Sequence, residues 1–586
     1  MQTPDHPFTA VPINLSEQLR RAARLHPTRT AIIHQGQIVS YEELDELVDR
    51  FSSHLHRKGL RPGGRVLFAL TRKPELVISF LAIARLGGIA VPLDWRCTLE
   101  EIQAIRNLVN PCGTIHHAEM TDQIGRLSQD EWSVRIDPDR WKDDLGVIDP
   151  TLKYPTMSDD DPVYLNFTSG STGRPKAAIA TYRNLHTNTL ASCIALRITS
   201  NDVHLPLFAV MSHPHESFCR SLFTGGASVL LDSIYPRAIA RAISDHQITC
   251  TMAVPPIYEM LLPFADSPAF SFRSLRVPEA GGMATSSWLR DRFSARFGVP
   301  LVPVWGSTES MGIAFASPPN GPVPDESCGR LLPYYDARIL GSDGQDAPDG
   351  EPGELALRGD GITRGYWQAT HENQIVFQDG WYRTGDVFRQ DKEGFYYCIG
   401  RKDNMIKVGG LKVYPGEIEA QLILHPAVRE AVVVPFQDKL RGMVPLAAVV
   451  LKPGESTTEG QLRQFLSKRL PKAKIPRVFR FLTGLPRIGS GKINFTQIGH
   501  SIEESAVVTD REYEQMLDSI DIKLLNLLNE RLKITLNMQS GNVRLRYSPE
   551  RLEETIRKLQ EYNSGPMHDS VVEQIFRLIL SIPQYM

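Results

Sequence analysis

The densest run of chemistry-capable residues is Thr168-Ser169-Gly170-Ser171-Thr172-Gly173-Arg174-Pro175-Lys176, directly after the strand-like Val163-Tyr164-Leu165-Asn166-Phe167. Its small residues let successive backbone N–H groups point into one concavity. Its hydroxyls add donors, and Lys176 adds a cation. That combination is an anion cradle suited to a polyphosphate. The order G-x-x-x-x-G-K-[ST] of a Walker A loop is absent. A flexible Ser/Thr/Gly linker is the competing reading, but a linker needs neither the buried strand before it nor the lysine at its end.

Composition narrows the partners. The 586 residues carry 65 Lys+Arg and 67 Asp+Glu, a formal net charge of -2. No basic excess marks a nucleic-acid or anionic-membrane ligand. The most apolar stretch, Phe80 to Leu93, is interrupted by Arg85, so no membrane span is expected. Met1 to Ala10 lacks the basic-then-apolar pattern of a signal peptide. Seven Cys without a C-x-x-C pair argue against a disulfide scaffold or a structural zinc site and fit a reducing cytoplasm.

The loop resembles the phosphate loop of the adenylate-forming superfamily, which includes acyl-CoA synthetases, peptide-synthetase adenylation domains and luciferase. Further elements stand in that family's order. Trp305-Gly306-Ser307-Thr308-Glu309 resembles its aromatic-Gly-x-Thr-Glu element. Gly353-Glu354-Leu355, Gly365-Tyr366-Trp367 and Tyr382-Arg383-Thr384-Gly385-Asp386 follow. Gly400-Arg401-Lys402-Asp403 with Gly409-Gly410 and Glu417-Ile418-Glu419 resembles the hinge and the loop after it. Leu485-Pro486-Arg487-Ile488-Gly489-Ser490-Gly491-Lys492-Ile493 resembles the C-terminal lysine loop. The ordered set spans about Asn14 to Ile498 and is far more specific than any one member.

The resemblance implies an acid–thiol ligase that forms an acyl-adenylate from a carboxylate and ATP, with Mg²⁺, and passes the acyl group to CoA or to a carrier-protein phosphopantetheine. A cation between carboxylate and α-phosphate stabilises charge that builds in the transition state, and Lys492 is the candidate. Thr168 and Lys176 act from the phosphate loop, with Ser169, Gly170, Ser171, Thr172 and Gly173 as its cradle. Glu309 is the candidate Mg²⁺ ligand, since a hard cation bridging phosphates wants carboxylate oxygen. Trp305, Gly306 and Thr308 line the nucleotide. Asp386 can accept two ribose hydrogen bonds and Arg401 can donate to the same sugar. Asp403 is the hinge, and Gly409 and Gly410 form the thiol loop, where glycine lets a chain pass close to backbone. Taken one by one, the bland readings are a surface lysine, a helix-start glutamate, a turn aspartate and a surface arginine.

Amino-acid-activating members place an Asp early in the acid pocket. Here the region from Pro206 to Gly225-Gly226 offers Ala209 and Val210, and an unpaired ammonium in a dry pocket is costly. The spacing resembles aryl-acid members, so an aromatic carboxylate such as a benzoate or hydroxybenzoate is expected, with fatty-acid and amino-acid activation as alternatives. Candidate pocket residues are Val210, Met211, His215, Gly281, Gly282 and Met311. His213, His215 and Glu216 are either recognition groups for a ring hydroxyl or polar residues at a helix start.

From Thr509 onward Gly and Pro become sparse, with only Gly541, Gly565, Pro549, Pro566 and Pro583. Leu517, Ile520, Leu524, Leu528 and Leu532 follow helical spacing. Ser548-Pro549-Glu550 is a helix start, Asn563-Ser564-Gly565-Pro566 a stop, and Val572, Ile575, Phe576 and Ile579 an apolar face. Ser519-Ile520-Asp521-x-x-Leu524-Leu525-x-Leu527-Leu528-x-x-Arg531 resembles the all-helical chorismate mutase family. That resemblance implies cations facing a dianion. Arg531 and Arg551 match, whereas Glu514, Asn542 and Leu552 replace the family's Arg, Lys and Glu. Arg544 and Arg546 are nearby cations. Mutase or pyruvate-lyase activity is therefore not expected, although a bifunctional enzyme stays an alternative. Asp518-Ser519-Ile520 faintly resembles a phosphopantetheine attachment site without room for the helix that should precede it. A homodimer through the tail is the expectation, because its first helix cannot bury a leucine stripe alone.

These residues must be positioned by an α/β fold. Strand-like Ala31-Ile32-Ile33, Val66 to Leu70, Ser228 to Leu231 and Leu301 to Val304 alternate with helical periods such as Glu75 to Leu86. Gly341 to Gly365 reads as turns between antiparallel strands. A second block, about Lys407 to Ile498, contains Ala431 to Val434, Ala447 to Leu451 and a helix near Gln461 to Leu470. The expected organisation is a large multi-sheet adenylating domain (1–402), a small mobile α+β domain (403–498), a linker (499–508) and an all-α three-helix tail (509–586). A non-catalytic adenylate-binding scaffold is the remaining alternative, opposed by intact Lys176, Glu309, Asp386 and Lys492.

Overall fold

The computed structural model describes residues 11–93, 97–117, 132–137, 140–168, 176–208, 213–321, 323–408, 411–438, 442–452, 454–486, 498, 524–525, 527–530, 549–562 and 569–581. Its contacts divide the chain into two units. One comprises Met1–Asp232 with Ala240–Gly484, and the other Ser233–Ile239 with Leu485–Met586.

The first unit contains three large sheets. A six-stranded sheet runs Trp132–Ile136, Gly113–His117, Arg65–Ala69, Ile89–Pro92, Pro162–Thr168, Lys176–Thr181. All its pairs are parallel except the last, an antiparallel hairpin in register at Thr168 and Lys176. A nine-stranded sheet has a parallel centre, Val277–Ala280, Cys250–Ala253, Val203–Pro206 and Ala227–Val229, and antiparallel pairs at both ends. The third sheet is antiparallel: Tyr335–Leu340, Gly353–Gly359, Trp381–Gln390 and Phe377–Gln378, with Tyr396–Arg401 paired to Trp381–Gln390.

The helix Pro74–Arg85 is buried on every face, so its sequence is apolar all round rather than striped. Arg85, with no exposed side-chain area, is kept there by Asp45 and Asp49. Thr98 and Thr181 open their helices with capping boxes, satisfying N–H groups the helix leaves orphaned.

After Arg401 comes a short turn, Lys402–Asn404, and then the smaller block. Its strands Val428–Asp438, Gly442–Leu451 and Val478–Leu482 form one sheet, with helices Pro415–Ile423 and Glu459–Ser467. The helix expected near Gln461 to Leu470 starts earlier because Thr458 caps it, boxed with Gln461. The fold is thus the multi-sheet α/β architecture anticipated.

In the second unit, Pro549–Tyr562 and Asp569–Ser581 are helices, as their start and stop signals predict. Ile556 and Val572 are buried, and Arg577 pairs with both Glu553 and Glu573. Of the first-helix stripe, Leu524 and Leu528 lie in helical segments, Leu524 exposed and Leu528 half-buried; Leu517, Ile520 and Leu532 lie outside the described residues, as does the span 499–508. No helix among the described residues is long and apolar enough to cross a membrane.

Candidate active site

The candidate anion loop joins the two strands Pro162–Thr168 and Lys176–Thr181, which pair antiparallel. Ser169, Gly170, Ser171, Thr172 and Gly173 lie outside the described residues, but the strand ends fix Thr168 opposite Lys176. Lys176 is half-buried, its Nζ 5.8 Å from the centre of the Tyr366 ring. Tyr366 is bridged to Ala178 on the same strand.

Trp305, Gly306 and Ser307 end a strand that pairs with Gly312–Ala316. Trp305 packs edge-on against Phe315 and Phe388. At Gly306 a Cβ would lie 2.0 Å from the Gly312 carbonyl oxygen, so only glycine permits this close hairpin. The Ser310 hydroxyl accepts from the Ser307 N–H (2.9 Å) and donates to the Gly312 carbonyl (2.7 Å). That locks the turn carrying Thr308 and Glu309. Glu309 is buried at 8% exposure. Its Oε1 accepts from the Tyr366 hydroxyl at 2.6 Å and its Oε2 from the Tyr382 hydroxyl at 2.9 Å.

Asp386 and Arg401 face each other across neighbouring antiparallel strands. The guanidinium lies 3.3 Å from the Asp386 carboxylate, 3.7 Å from Asp403, and donates to the Thr384 carbonyl at 2.9 Å. Gly385 has φ +71° and would press a Cβ to 2.9 Å from Arg401. Burial pushes the Asp386 carboxyl up to about 6; Arg401 opposes the rise, and the charges of Glu309 and Asp403 add to it. Asp403 is largely exposed. Beneath it, Glu354 accepts from Arg383 (2.5 Å) and Lys402 (2.9 Å). Burial acts to raise the Glu354 carboxyl, but these two cations outweigh it and hold the group below its ordinary range.

On the acid side, Gly281 and Gly282 follow the strand Val277–Ala280. Phe208 lies across both: added Cβ atoms would meet its ring at 3.5 and 3.3 Å. Met311 is fully buried at φ +58°, an unusual conformation for a side chain of its size. His215 supports it. Its Nε2–H donates to the Met311 carbonyl at 3.0 Å, and its Nδ1 accepts from the Tyr164 hydroxyl at 3.1 Å. Burial lowers its pKa to about 3, so the ring is neutral. Both ring nitrogens are thus engaged by protein groups, which places His215 as a brace rather than facing a substrate hydroxyl. Glu216 is likewise engaged, 3.2 Å from the buried Arg220, which also pairs with Glu279 at 2.6 Å. His213 stacks edge-on against His215. Val210 and Met211 lie outside the described residues, as do Gly409, Gly410 and Lys492.

Lys176, Glu309, Asp386 and Arg401 therefore come together from four segments, joined through the Tyr366 and Tyr382 phenols. Sequence reading assigned no role to those tyrosines or to Phe208, although both tyrosines stand inside motifs it singled out.

This mixed α/β fold is that of the AMP-binding enzymes, and the chain belongs to that family. The AMP-binding enzyme family model matches residues 19–367, and the model of its C-terminal domain matches residues 417–492. Residues 513–582 match chorismate mutase type II. The chain is 32% identical over 494 residues to indoleacetate–CoA ligase of Aromatoleum aromaticum, covering 82% of this chain and 96% of that protein. The anthranilate CoA ligase AuaEII, solved in complex with anthranoyl-AMP, superposes with a TM-score of 0.76 at 26% identity, over 86% of this chain and 99% of that one. ATP-bound MatB from Rhodopseudomonas palustris gives 0.77 at 26% identity, over 83% and 98%. The chain is an AMP-forming acid–thiol ligase.

Proposed function

We propose that this chain activates an aromatic carboxylic acid with Mg²⁺ and ATP and transfers the acyl group to CoA. The observation that carries the reading is the joined cluster of Lys176, Glu309, Asp386 and Arg401. For the acid, the support is the relatives named for indoleacetate and anthranilate; Phe208 packs directly on Gly281 and Gly282.

In this reading Asp386 accepts from the ribose hydroxyls while Arg401 keeps its carboxylate oriented. Lys176, with the loop from Ser169 to Gly173, holds the phosphates. Each Glu309 oxygen takes one phenol bond and keeps acceptor capacity. One carboxylate plus substrate phosphates suits Mg²⁺, which dehydrates reluctantly and rarely uses an all-protein cage. Among the described residues no cluster of three or more His, Cys, Asp or Glu offers such a cage. When bound, the ion would neutralise phosphate charge. Lys492 stabilises the pentavalent transition state as the acid carboxylate attacks the α-phosphorus and pyrophosphate leaves. Rotation at Asp403 then exchanges Lys492 for the Gly409-Gly410 loop, and the thiol attacks the acyl-adenylate carbonyl, releasing AMP. The domain limits 402/403 and 498/509 belong to this same reading.

Pyrophosphate exchange over a panel of acids, followed by thioester assay with CoA and with a phosphopantetheinylated carrier, tests it. Preference for an aliphatic acid over every aryl acid overturns the aromatic assignment.

The match to chorismate mutase type II favours a second role for the tail. Exposed Leu524, Leu525 and Leu527 support an assembly role through a second copy, while Glu514, Asn542 and Leu552 weigh against chorismate chemistry. Light scattering should read a dimer that becomes a monomer on deleting 509–586. Chorismate consumption by the full chain, lost in Arg531→Ala, would reinstate a bifunctional enzyme.

A further inference from the structure

Glu309 is held by two phenols that nothing in the reaction itself requires. We propose that Tyr366 and Tyr382 are positioning residues for adenylation, their hydroxyls fixing the Glu309 carboxylate so that it presents its remaining acceptor capacity to Mg²⁺·ATP. The inference rests on the reading of Glu309 as the metal-facing carboxylate.

The geometry is specific. One hydroxyl meets Oε1 and the other Oε2, at 2.6 and 2.9 Å, which pins the carboxylate against rotation about its last bond. Neither partner is a cation, so neither neutralises the charge a divalent ion would need. Hydrogen bonds to a charged acceptor are also the stronger kind. Both rings are themselves fixed. Phe377 lies edge-on to Tyr366 at 5.9 Å and is stacked with Tyr382 at 5.5 Å. The Tyr366 main chain is gripped twice by Asn373, whose Oδ1 accepts from its N–H at 2.7 Å and whose Nδ2 donates to its carbonyl at 3.0 Å. Tyr382 stands on the same strand as Asp386, four residues before it. Tyr366 offers its ring face to Lys176. Two rings therefore tie the metal-facing carboxylate to the ribose strand on one side and to the phosphate-loop lysine on the other.

A core-packing role for the same tyrosines predicts something different. Tyr→Phe keeps each ring and removes one oxygen, so packing alone would leave ATP binding unchanged or weaken it equally with and without metal. Calorimetry without acid substrate gives ATP affinity in excess EDTA and in excess Mg²⁺, and the ratio isolates the metal-linked gain. Tyr366→Phe and Tyr382→Phe are each expected to keep wild-type affinity in EDTA and to lower the gain about tenfold, the worth of a hydrogen bond to a charged group. Glu309→Gln should abolish it. A Glu309→Gln protein that retains the gain overturns the reading of Glu309. Loss in Glu309→Gln with full gain in both tyrosine variants overturns the positioning role alone, as does equal weakening in both buffers. The two substitutions are independent, so if one variant does not fold the other decides.

Discussion

Replacing Asp386 by Asn should stabilise the nucleotide-free protein while weakening its hold on ribose. The carboxyl sits at about 6 in the fold against an ordinary 3.8, chiefly because it is buried. The side chain is only 16% exposed, so solvent screening does little to reduce the effect. A folded-state value above the unfolded one means that the proton is held more tightly in the fold. Its stabilisation is complete below about pH 4 and is lost as pH rises through about 6. At pH 8 the ionised carboxylate costs about 3 kcal/mol at 1.36 kcal/mol per unit, and at pH 5 about half of that. Asn mimics the neutral form and escapes the cost. With about 2.1 cal/mol/K of unfolding entropy per residue over roughly 400 residues, the full difference is about 3–4 °C in melting temperature. Melting curves of wild type and Asp386→Asn at pH 5 and pH 8, without nucleotide, should show a gap that widens with pH. Adenosine, which has no phosphate to titrate, should bind wild type more weakly below pH 6 and bind the variant weakly at every pH. A gap of equal size at both pH values, or a less stable variant at pH 8, would refute burial as the cause of the raised value.

Three other outcomes are expected. Arg220→Met leaves Glu216 and Glu279 buried without their cation and should cost about 3–5 kcal/mol; denaturant midpoints read it, and adding Glu279→Gln should recover part of the loss. Gly306→Ala forces a Cβ against the Gly312 carbonyl and should cost about 1–3 kcal/mol, with weaker ATP binding because the turn carrying Glu309 shifts. Lys492→Ala should slow adenylate formation about 10²–10³-fold yet leave transfer from preformed acyl-adenylate to CoA; equal losses in both half-reactions would remove Lys492 from its assigned role.

What was legible in the sequence depended on whether a signal was local. The strand before Thr168 is an apolar run interrupted only by Asn166, and the structure makes it the inner strand of a hairpin. The Asp386–Arg401 juxtaposition follows from two motifs joined by one tight antiparallel connection. Tyr366 and Tyr382 reach Glu309 across 57 and 73 residues, and no periodicity encodes such a contact. In sequence each stands inside a motif, but nothing local says what its hydroxyl meets. His215 shows the converse. Following Pro214 and among polar neighbours it reads as a helix-start group, but the following helix Cys219–Thr224 is wholly buried and draws the preceding turn, Pro214–Ser217, inside with it. Burial then demands partners for both ring nitrogens, and Tyr164 and Met311 supply them.

In the proposed mechanism the ribose grip and the hinge share one side chain. Arg401 contacts Asp386 on the neighbouring strand and approaches Asp403 two residues on. The residue between them, Lys402, is tied down to Glu354 together with Arg383. The turn is therefore anchored on its strand side, while Asp403 is largely exposed. In that mechanism a rotation beginning at Asp403 would alter the field on Arg401 without disturbing the Glu354 anchor, and a change at Arg401 would be felt by the buried Asp386 carboxylate. The proposed mechanism therefore couples nucleotide binding and lid position through the Arg401 guanidinium, in both directions by thermodynamic necessity. In an Arg401→Lys protein the ammonium is a compact point charge without the planar fork that spans the Thr384 carbonyl, Asp386 and Asp403, so ATP affinity should fall and its dependence on lid position should fall with it.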